Sequence, residues 1–157
     1  MNIRFKLIAL LIIILPVFDQ EAFSQGIEQK VLTLAEAQLI VKSAEERAKQ
    51  DKWNVVISVV DAGGHLICLH RMDGAQIGSV EVSQQKAKTA VYFKRPTKFF
   101  QDLVAGGNTA ILGLPNVVAS EGGIPIVHEG QVIGAIGVSG VTSAQDGIIA
   151  KAALEVF

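Results

Sequence analysis

The sequence has little cysteine, no strong bias of charge and no concentrated basic segment. Cys68 is the one cysteine among 157 residues, which excludes an internal disulfide and any metal site built from several thiolates. Basic residues number 14 and acidic residues 15. A nucleic-acid partner is not expected, because binding to a phosphate backbone needs a concentrated positive surface.

The usual signatures of hydrolases, NTPases and zinc enzymes are also missing. The sequence contains no G-x-S-x-G elbow, no H-E-x-x-H helix, no Walker loop and no spacing typical of a zinc site. Neither a serine–histidine–aspartate nor a cysteine–histidine arrangement can be assembled from it. The residues alone leave open whether the protein is an enzyme.

The N-terminus has the three parts of a secretory signal. A short basic segment precedes the apolar run at residues 7–18, and small residues precede a cut after Ser24. In a helix this run would rise about 18 Å, well short of the ~30 Å of membrane hydrocarbon. We therefore predict a signal peptide at 1–24, a tether at 25–32 and one domain at 33–157. The mature protein is then periplasmic or secreted, with no stable membrane insertion after cleavage.

The pattern of hydrophobic residues predicts a helix, a hairpin, two helices, three strands and a final helix. Thr33 and Glu36 form a capping box for a first helix that ends near Gln50. The further elements are strands at 55–61 and 65–71, helices at 79–93 and 97–104, strands at 117–120, 124–128 and 131–139, and a helix from Ser143 to the C-terminus. Arg95-Pro96 ends the second helix, and Thr97 and Ser143 are the predicted caps of the third and the last. Strands joined by tight turns pair antiparallel. The predicted fold class is α/β (α+β), an antiparallel sheet of about five strands flanked by helices.

The end of the second predicted strand holds the densest group of candidate binding residues. Strand alternation places His70 and Met72 on one face, and both side chains can ligate haem iron. Arg71 lies beside a glycine loop and can hold a carboxylate through two hydrogen bonds. The alternative is that Arg71 pairs with Asp73, or with a helix C-terminus, and fixes the loop. His65 lies next to a turn, where surface histidines are common.

Two further patterns could meet an anion. The second helix and the turn after it form a modest basic edge that includes Lys86 and Arg95, for which solvated surface charge is the alternative. Gly122 and Gly123 can present backbone N–H groups to an anion. The alternative here is a tight turn into an edge strand, which Pro125 would also mark. For the glycines inside the strand at 131–139, we expect close packing to be the cause.

Five segments stand out in order along the chain: LTLAEA, VVISVVDAGGHLICLHRMDGA, SQQKAKTAVYFKRPT, EGGIPI and GQVIGAIGVSGVTSAQD. Together they resemble the GlcG/HbpS-like family of haem-binding and haem-degrading proteins, and the resemblance covers about Thr33 to Phe157. The C-terminal domain of propanediol-utilisation corrinoid adenosyltransferase is of the same type. The resemblance implies a profilin-like fold, assembly into homo-oligomers and haem bound between subunits. Haem degradation and redox sensing are further activities that it implies.

The resemblance also implies a set of ligand-binding positions. They are Arg71, Asp73, Lys86, Thr89, Arg95, Thr97, Gly122, Gly123 and Pro125. Some relatives that bind haem ligate its iron through a histidine of the first helix, and the helix predicted here has none. The expected iron ligand is then His70, with His65, Met72 or the hydroxyl of Thr89 as alternatives.

Three functions follow from these observations. The first is an exported haem-binding protein. The second is an enzyme or sensor for a small carboxylate, using Arg71 together with the amides of Gly122 and Gly123. The third is an accessory interaction module without a ligand. The expected partners are haem or a small anionic ligand, and further copies of the same chain.

Overall fold

The computed structural model of this protein describes residues 30–157. The predicted signal peptide at 1–24 and most of the predicted tether at 25–32 lie outside the described residues, so both stay predictions. Within the described part of the chain, no helix is long and apolar enough to cross a membrane.

The described residues form four α-helices, two short 3-10 helices and one sheet. The α-helices are α1 (Leu34–Gln50), α2 (Ser79–Phe93), α3 (Thr97–Ala105) and α4 (Ser143–Ala153). The strands are β1 (Val56–Asp61), β2 (Leu66–Arg71), β3 (Gly123–His128) and β4 (Gln131–Ser139). The 3-10 helices are Thr109–Gly113 and Leu154–Val156. The first three helices agree with the predicted ones to within one residue, whereas the last, predicted to reach the C-terminus, ends at Ala153 and is followed by a 3-10 helix.

The four strands pair antiparallel in the order β2-β1-β4-β3, which confirms the predicted direction of pairing. Two hairpins, β1–β2 and β3–β4, are joined through the central pair β1–β4. In this register Arg71 lies opposite Val56, Val56 lies opposite Ser139, and Gly123 lies opposite Gly137. The end of β2 and the start of β3 therefore lie at the same end of the sheet but on its two outer edges.

Residues 117–120, expected to form a fifth strand, do not join the sheet. The side chain of Thr89 in α2 bonds to two backbone groups at the start of this segment. Its hydroxyl lies 2.7 Å from the Asn116 carbonyl oxygen and accepts a hydrogen bond from Val118 N at 3.0 Å. The described sheet therefore has four strands rather than about five, and the backbone at Asn116 and Val118 bonds to a side chain of α2 instead of to a strand.

Each face of the sheet carries its own apolar layer. On one face, Ile57 of β1 and Ile136 of β4 are buried beneath α1 and α4, together with Ile40 and Ile149 of those helices. On the other face, α2 covers a smaller layer that includes Ala87. The sheet therefore lies between two helical layers, the arrangement expected of a flanked antiparallel sheet.

The helix N-termini follow one predicted cap and depart from two. At α1, Glu36 N donates to Thr33 Oγ1 (3.2 Å) and Thr33 N donates to Glu36 Oε2 (2.8 Å), which confirms the capping box. Thr142, one residue before the predicted cap, begins α4. Thr97 makes no cap, because its hydroxyl accepts a hydrogen bond from Gly123 N (2.9 Å) at the outer edge of β3.

Small residues allow α2 to pack closely on β1 and β4. Ser83 and Ala87 of the helix lie against Gly137, where a Cβ would overlap the Ser83 carbonyl oxygen. Across the same contact the hydroxyls of Ser58 and Ser83 share a hydrogen bond of 2.7 Å. This interior glycine of β4 serves packing, as predicted.

We expect Gly137→Ala to lower the free energy of unfolding by about 1–3 kcal/mol, because the helix and the strand must move apart to admit the methyl group. Urea unfolding measures the change. Gly113→Ala is the control, since a Cβ at that position contacts nothing within 4 Å. Equal stability of the two variants would contradict the close packing of α2.

Candidate functional site

A polar cavity lies where β2 ends and α1 approaches its last turn. We call it the β2 cavity, and its volume is about 370 Å³. Its lining residues are Glu45, Lys49, Asn54, Arg71, Met72 and Asp73. The turn after β2 shapes one wall, since Gly74 adopts φ +79° with Asn54 packed against it. The cavity thus combines two cations, two carboxylates and an amide at the open end of a strand.

His70 is held against this cavity by Glu45. The distance from His70 Nδ1 to Glu45 Oε1 is 2.8 Å, and the histidine side chain is 46% exposed. Partial burial alone would raise the pKa of Glu45, but hydrogen bonds from His70 and Lys49 outweigh it, and the pKa lies below its ordinary value. An ionised carboxylate only accepts hydrogen bonds, so Nδ1 carries the proton. Nε2 of a neutral His70 is then the nitrogen with a free lone pair.

Arg71 and Asp73 both line the cavity without pairing to one another. Among the ion pairs of residues 30–157, neither side chain has a partner. The alternative in which Arg71 pairs with Asp73 to fix the loop is therefore not formed. The guanidinium keeps its hydrogen-bond donors available to a ligand.

Cys68, on the same face of β2 as His70, is poorly suited to nucleophilic chemistry. Burial raises the pKa of its thiol, and the nearby Glu45 carboxylate raises it further. The reactive form of cysteine is the thiolate, which this environment disfavours.

Lys86 lies in the interior, in an ion pair with Asp146 of α4. Its ammonium is 2.8 Å from Asp146 Oδ2 and 3.1 Å from the Val138 carbonyl oxygen. Both side chains are almost fully buried. The ammonium passes Gly122, where φ is +129° and a Cβ would lie 2.9 Å from Nζ. Glycine is required at this position by the backbone conformation and by the neighbouring charge.

Thr89 and Thr97 are also buried and hydrogen-bonded to backbone. Thr89 holds residues 116–118, and Thr97 holds Gly123 at the edge of β3. Within a single copy of the chain, both hydroxyls therefore bond to backbone in the protein interior, and neither lines one of the two cavities described here.

Gly122 and Gly123 line a second cavity, between the start of β3, α3 and α4. We call it the β3 cavity, and its volume is about 360 Å³. Two strands separate it from the β2 cavity, so three strand spacings, about 14 Å, lie between the end of β2 and the start of β3. Within one chain the structure does not bring Arg71 together with the two glycines. The combined anion cradle expected from the sequence is not assembled there.

The other predicted positions lie on the surface. His65, in the β1–β2 turn, and His128, at the end of β3, are at the opposite end of the sheet from Arg71. The guanidinium of Arg95 stacks over the Phe99 ring, 4.6 Å from its centroid. Pro125 lies within edge strand β3. Of the predicted set, Arg71, Asp73 and Met72 line the β2 cavity, with His70 beside it, and Gly122 and Gly123 line the β3 cavity.

Sequence reasoning missed Glu45, Lys49 and Asn54. Glu45 and Lys49 are four residues apart and so share one face of α1. Glu45 follows buried Ala44 directly, which places it at the margin of the apolar stripe. The sequence signal for the Glu45–His70 pair was a charged residue at the margin of the apolar stripe of α1, together with a histidine in a strand on which that helix packs.

Comparison with known proteins places the chain in a family. The family model described as "Haem degrading protein HbpS-like" matches residues 32–155. The chain belongs to the HbpS-like family. This confirms the resemblance seen in the sequence.

Relatives of this HbpS-like protein agree in sequence and in fold. Protein GlcG of Escherichia coli strain K12 is 44% identical over 109 residues, which cover 69% of this chain and 81% of GlcG. The crystal structure of a PduOC–haem complex matches with a TM-score of 0.76 at 32% identity, covering 82% of this chain and 96% of that chain. A double mutant of HbpS from Streptomyces reticuli matches with a TM-score of 0.78 at 30% identity, covering 85% and 92%.

Replacing Asp146 with asparagine should lower the free energy of unfolding by about 3–5 kcal/mol, because it leaves the Lys86 ammonium buried without a counter-charge. Thermal or urea unfolding measures the loss. Asp102→Asn is the matched control, since it breaks the exposed pair with Lys98, which solvent screens, and should lower the free energy of unfolding far less. A similar decrease in the free energy of unfolding in both variants would show that the buried pair contributes no more to stability than the exposed one.

Replacing His70 with alanine should raise the pKa of Glu45 towards its ordinary value of 4.5, because a hydrogen bond to the ionised carboxylate is lost. In the native protein the lowered pKa stabilises the fold above pH 4.5, and this contribution disappears as pH falls through the lowered value. Carboxyl-carbon NMR during a pH titration reads the change. A Glu45 titration unchanged by His70→Ala, as expected for the control His65→Ala, would contradict the pairing.

Proposed function

We propose that this HbpS-like protein binds haem at the β2 cavity, with His70 as the iron ligand. Two comparisons support haem as the ligand: the matching family is described as haem degrading, and a relative was solved in complex with haem. The observation that carries the proposal is the Glu45–His70 pair beside an arginine that has no carboxylate partner among the described residues.

The Glu45–His70 pair prepares one nitrogen for a metal. The hydrogen bond from Nδ1 fixes the ring orientation and the tautomer, and the carboxylate makes Nε2 a better electron donor. The half-exposed ring leaves that nitrogen accessible to a ligand from solvent. Histidine is a common axial ligand of haem iron. Met72, the alternative, packs against the core and is less accessible.

The cations of the β2 cavity suit the propionates of haem. Arg71 can bind a carboxylate through two parallel hydrogen bonds. Lys49 Nζ lies 3.4 Å from Oε2 of Glu45, the carboxylate that also hydrogen-bonds to His70. Lys49 can therefore add a second positive charge to the cavity. A planar porphyrin placed here would have one face against this chain. A second copy of the chain would cover the other face, in line with the expected homo-oligomer.

Bound haem would supply redox and oxygen chemistry, while the protein would set its orientation and electrostatic surroundings. Haem degradation and redox sensing are therefore proposals that depend on binding. Export to the periplasm or beyond is a separate proposal and rests on residues 1–24.

Titration with hemin, followed through the Soret band, tests the proposal. We expect saturable binding by the native protein, loss of the histidine-ligated spectrum in His70→Ala, and affinity about tenfold weaker in Glu45→Gln because the supporting hydrogen bond is weakened. Arg71→Ala should weaken binding but keep the ligation spectrum.

His65→Ala and His128→Ala are the matched controls, because both histidines lie at the far end of the sheet. They should titrate as the native protein does. A flat titration of the native protein at micromolar hemin would remove haem as the ligand. A native-like spectrum in His70→Ala would move the iron ligand elsewhere.

A further inference from the structure

The β3 cavity is not used by the proposed haem site, and its lining combines opposite charges with apolar walls. Its charged residues are Lys98, Glu121 and Lys151, and Pro96 and Ile124 are its apolar ones. Gly122, Gly123 and Gly147 complete it. The volume of about 360 Å³ is at the lower end of small-molecule sites, which are typically ~300–1,000 Å³.

Two of the three charges are without a partner. Lys98 is held by Asp102, with Nζ 2.7 and 2.8 Å from the two carboxylate oxygens. Among the ion pairs of residues 30–157, none includes Glu121 or Lys151. Glu121 and Lys151 are thus in no salt bridge of the described residues, although the pKa of the Lys98 ammonium is raised by its hydrogen bond to Asp102 and, to a smaller degree, by the nearby Glu121 carboxylate.

The charges of Glu121 and Lys151 lie near one face of α4. The side chain of Glu121 rests against Gly147, where a Cβ would overlap its carboxylate. Lys151 follows Gly147 by four residues and so lies on the same helix face, about 6 Å further along the axis. The absence of a side chain at Gly147 therefore leaves space for the Glu121 carboxylate, about one helical turn from Lys151.

The backbone adds a hydrogen-bond donor that lacks an acceptor. Gly122 is buried, and its carbonyl oxygen accepts from Val138 N at 2.9 Å. Its own N–H has no acceptor among the hydrogen bonds of the described residues. Buried backbone N–H groups are nearly always paired. Gly122 lines the β3 cavity, so its N–H is the backbone donor that we assign to a ligand there.

We propose that the β3 cavity binds a small zwitterion, an α-amino acid with a short apolar side chain. The ligand carboxylate would meet Lys151 and the Gly122 N–H, and its ammonium would meet Glu121. Its side chain would lie on Ile124 and Pro96. A simple anion fits less well, because it would leave the Glu121 carboxylate unpaired beside it. No proton or electron transfer is involved.

Calorimetric titration with L-valine and two analogues tests both charges at once. Isobutylamine lacks the carboxylate of valine, and 3-methylbutanoate lacks its ammonium. We expect saturable binding of valine and binding about tenfold weaker, or weaker still, for each analogue, since a tenfold change corresponds to the loss of one modest interaction. No binding of valine would overturn the proposal. Equal binding of either analogue would overturn recognition of a zwitterion.

Variants locate the site. Lys151→Gln and Glu121→Gln should each weaken valine binding about tenfold or more, with unfolding curves close to native because both side chains are partly or fully exposed. Lys49→Gln, in the β2 cavity, is the matched control and should bind valine normally. Native affinity in both cavity variants would overturn the assignment.

Hemin binding separates this proposal from the haem proposal. Lys151→Gln should titrate with hemin as the native protein does, and His70→Ala should bind valine normally. Weakened valine binding in His70→Ala would place the amino acid in the β2 cavity and overturn the second site, whatever the outcome for haem.

Discussion

The buried ion pair between Lys86 and Asp146 is the contact on which the two helical layers depend. Lys86 starts from α2 on one face of the sheet, and Asp146 belongs to α4 on the other face. The Lys86 side chain crosses from one side of the sheet to the other beside Gly122, next to the first residue of β3. The two charges therefore meet where β3 begins. Burial raises the pKa of Asp146, against the opposing effect of the Lys86 ammonium. The cost of burying both charges is offset by hydrogen bonds from Val141 N to the carboxylate and from the ammonium to the Val138 carbonyl oxygen.

This ion pair explains several local features that sequence patterns leave ambiguous. Gly122 has no side chain because the ammonium passes beside it, and Gly123 has none because the backbone of α2 lies against it. Thr97 fills the next position and takes the Gly123 N–H. The two glycines thus belong to a packed junction, and their exposure to the β3 cavity is a consequence of that junction. Burying such a pair adds little net stability, but removing one partner leaves the other charge buried without compensation.

Much of the fold could be predicted because its signals are local. The capping box of α1, the hairpin turn after β1 and the break at Pro96 each act within a few residues. The prediction of a fifth strand at 117–120 was wrong. Periodicity could not show that the backbone at Asn116 and Val118 would bond to Thr89, which lies 27 and 29 residues earlier in the chain. The candidate site could be predicted only in part, because only some of its residues are close together in sequence. His70 and Arg71 are neighbours in one strand, whereas Glu45 reaches them only through the packing of α1 on β2. Periodicity predicts which face is buried but not which polar residue at its margin will meet a given strand.

The arrangement of the sheet also bears on whether its two cavities communicate. They lie at one end of the sheet, separated by the central strands β1 and β4. Those strands are buried on both faces, and α2 packs closely on them, since a Cβ at Gly137 would overlap the helix backbone. Coupling between sites needs an element with two states whose populations both ligands change. Nothing in the strands between these cavities provides such an element within one chain. Ligands in the two cavities should therefore bind independently within one chain, and any cooperativity would have to arise where separate copies meet.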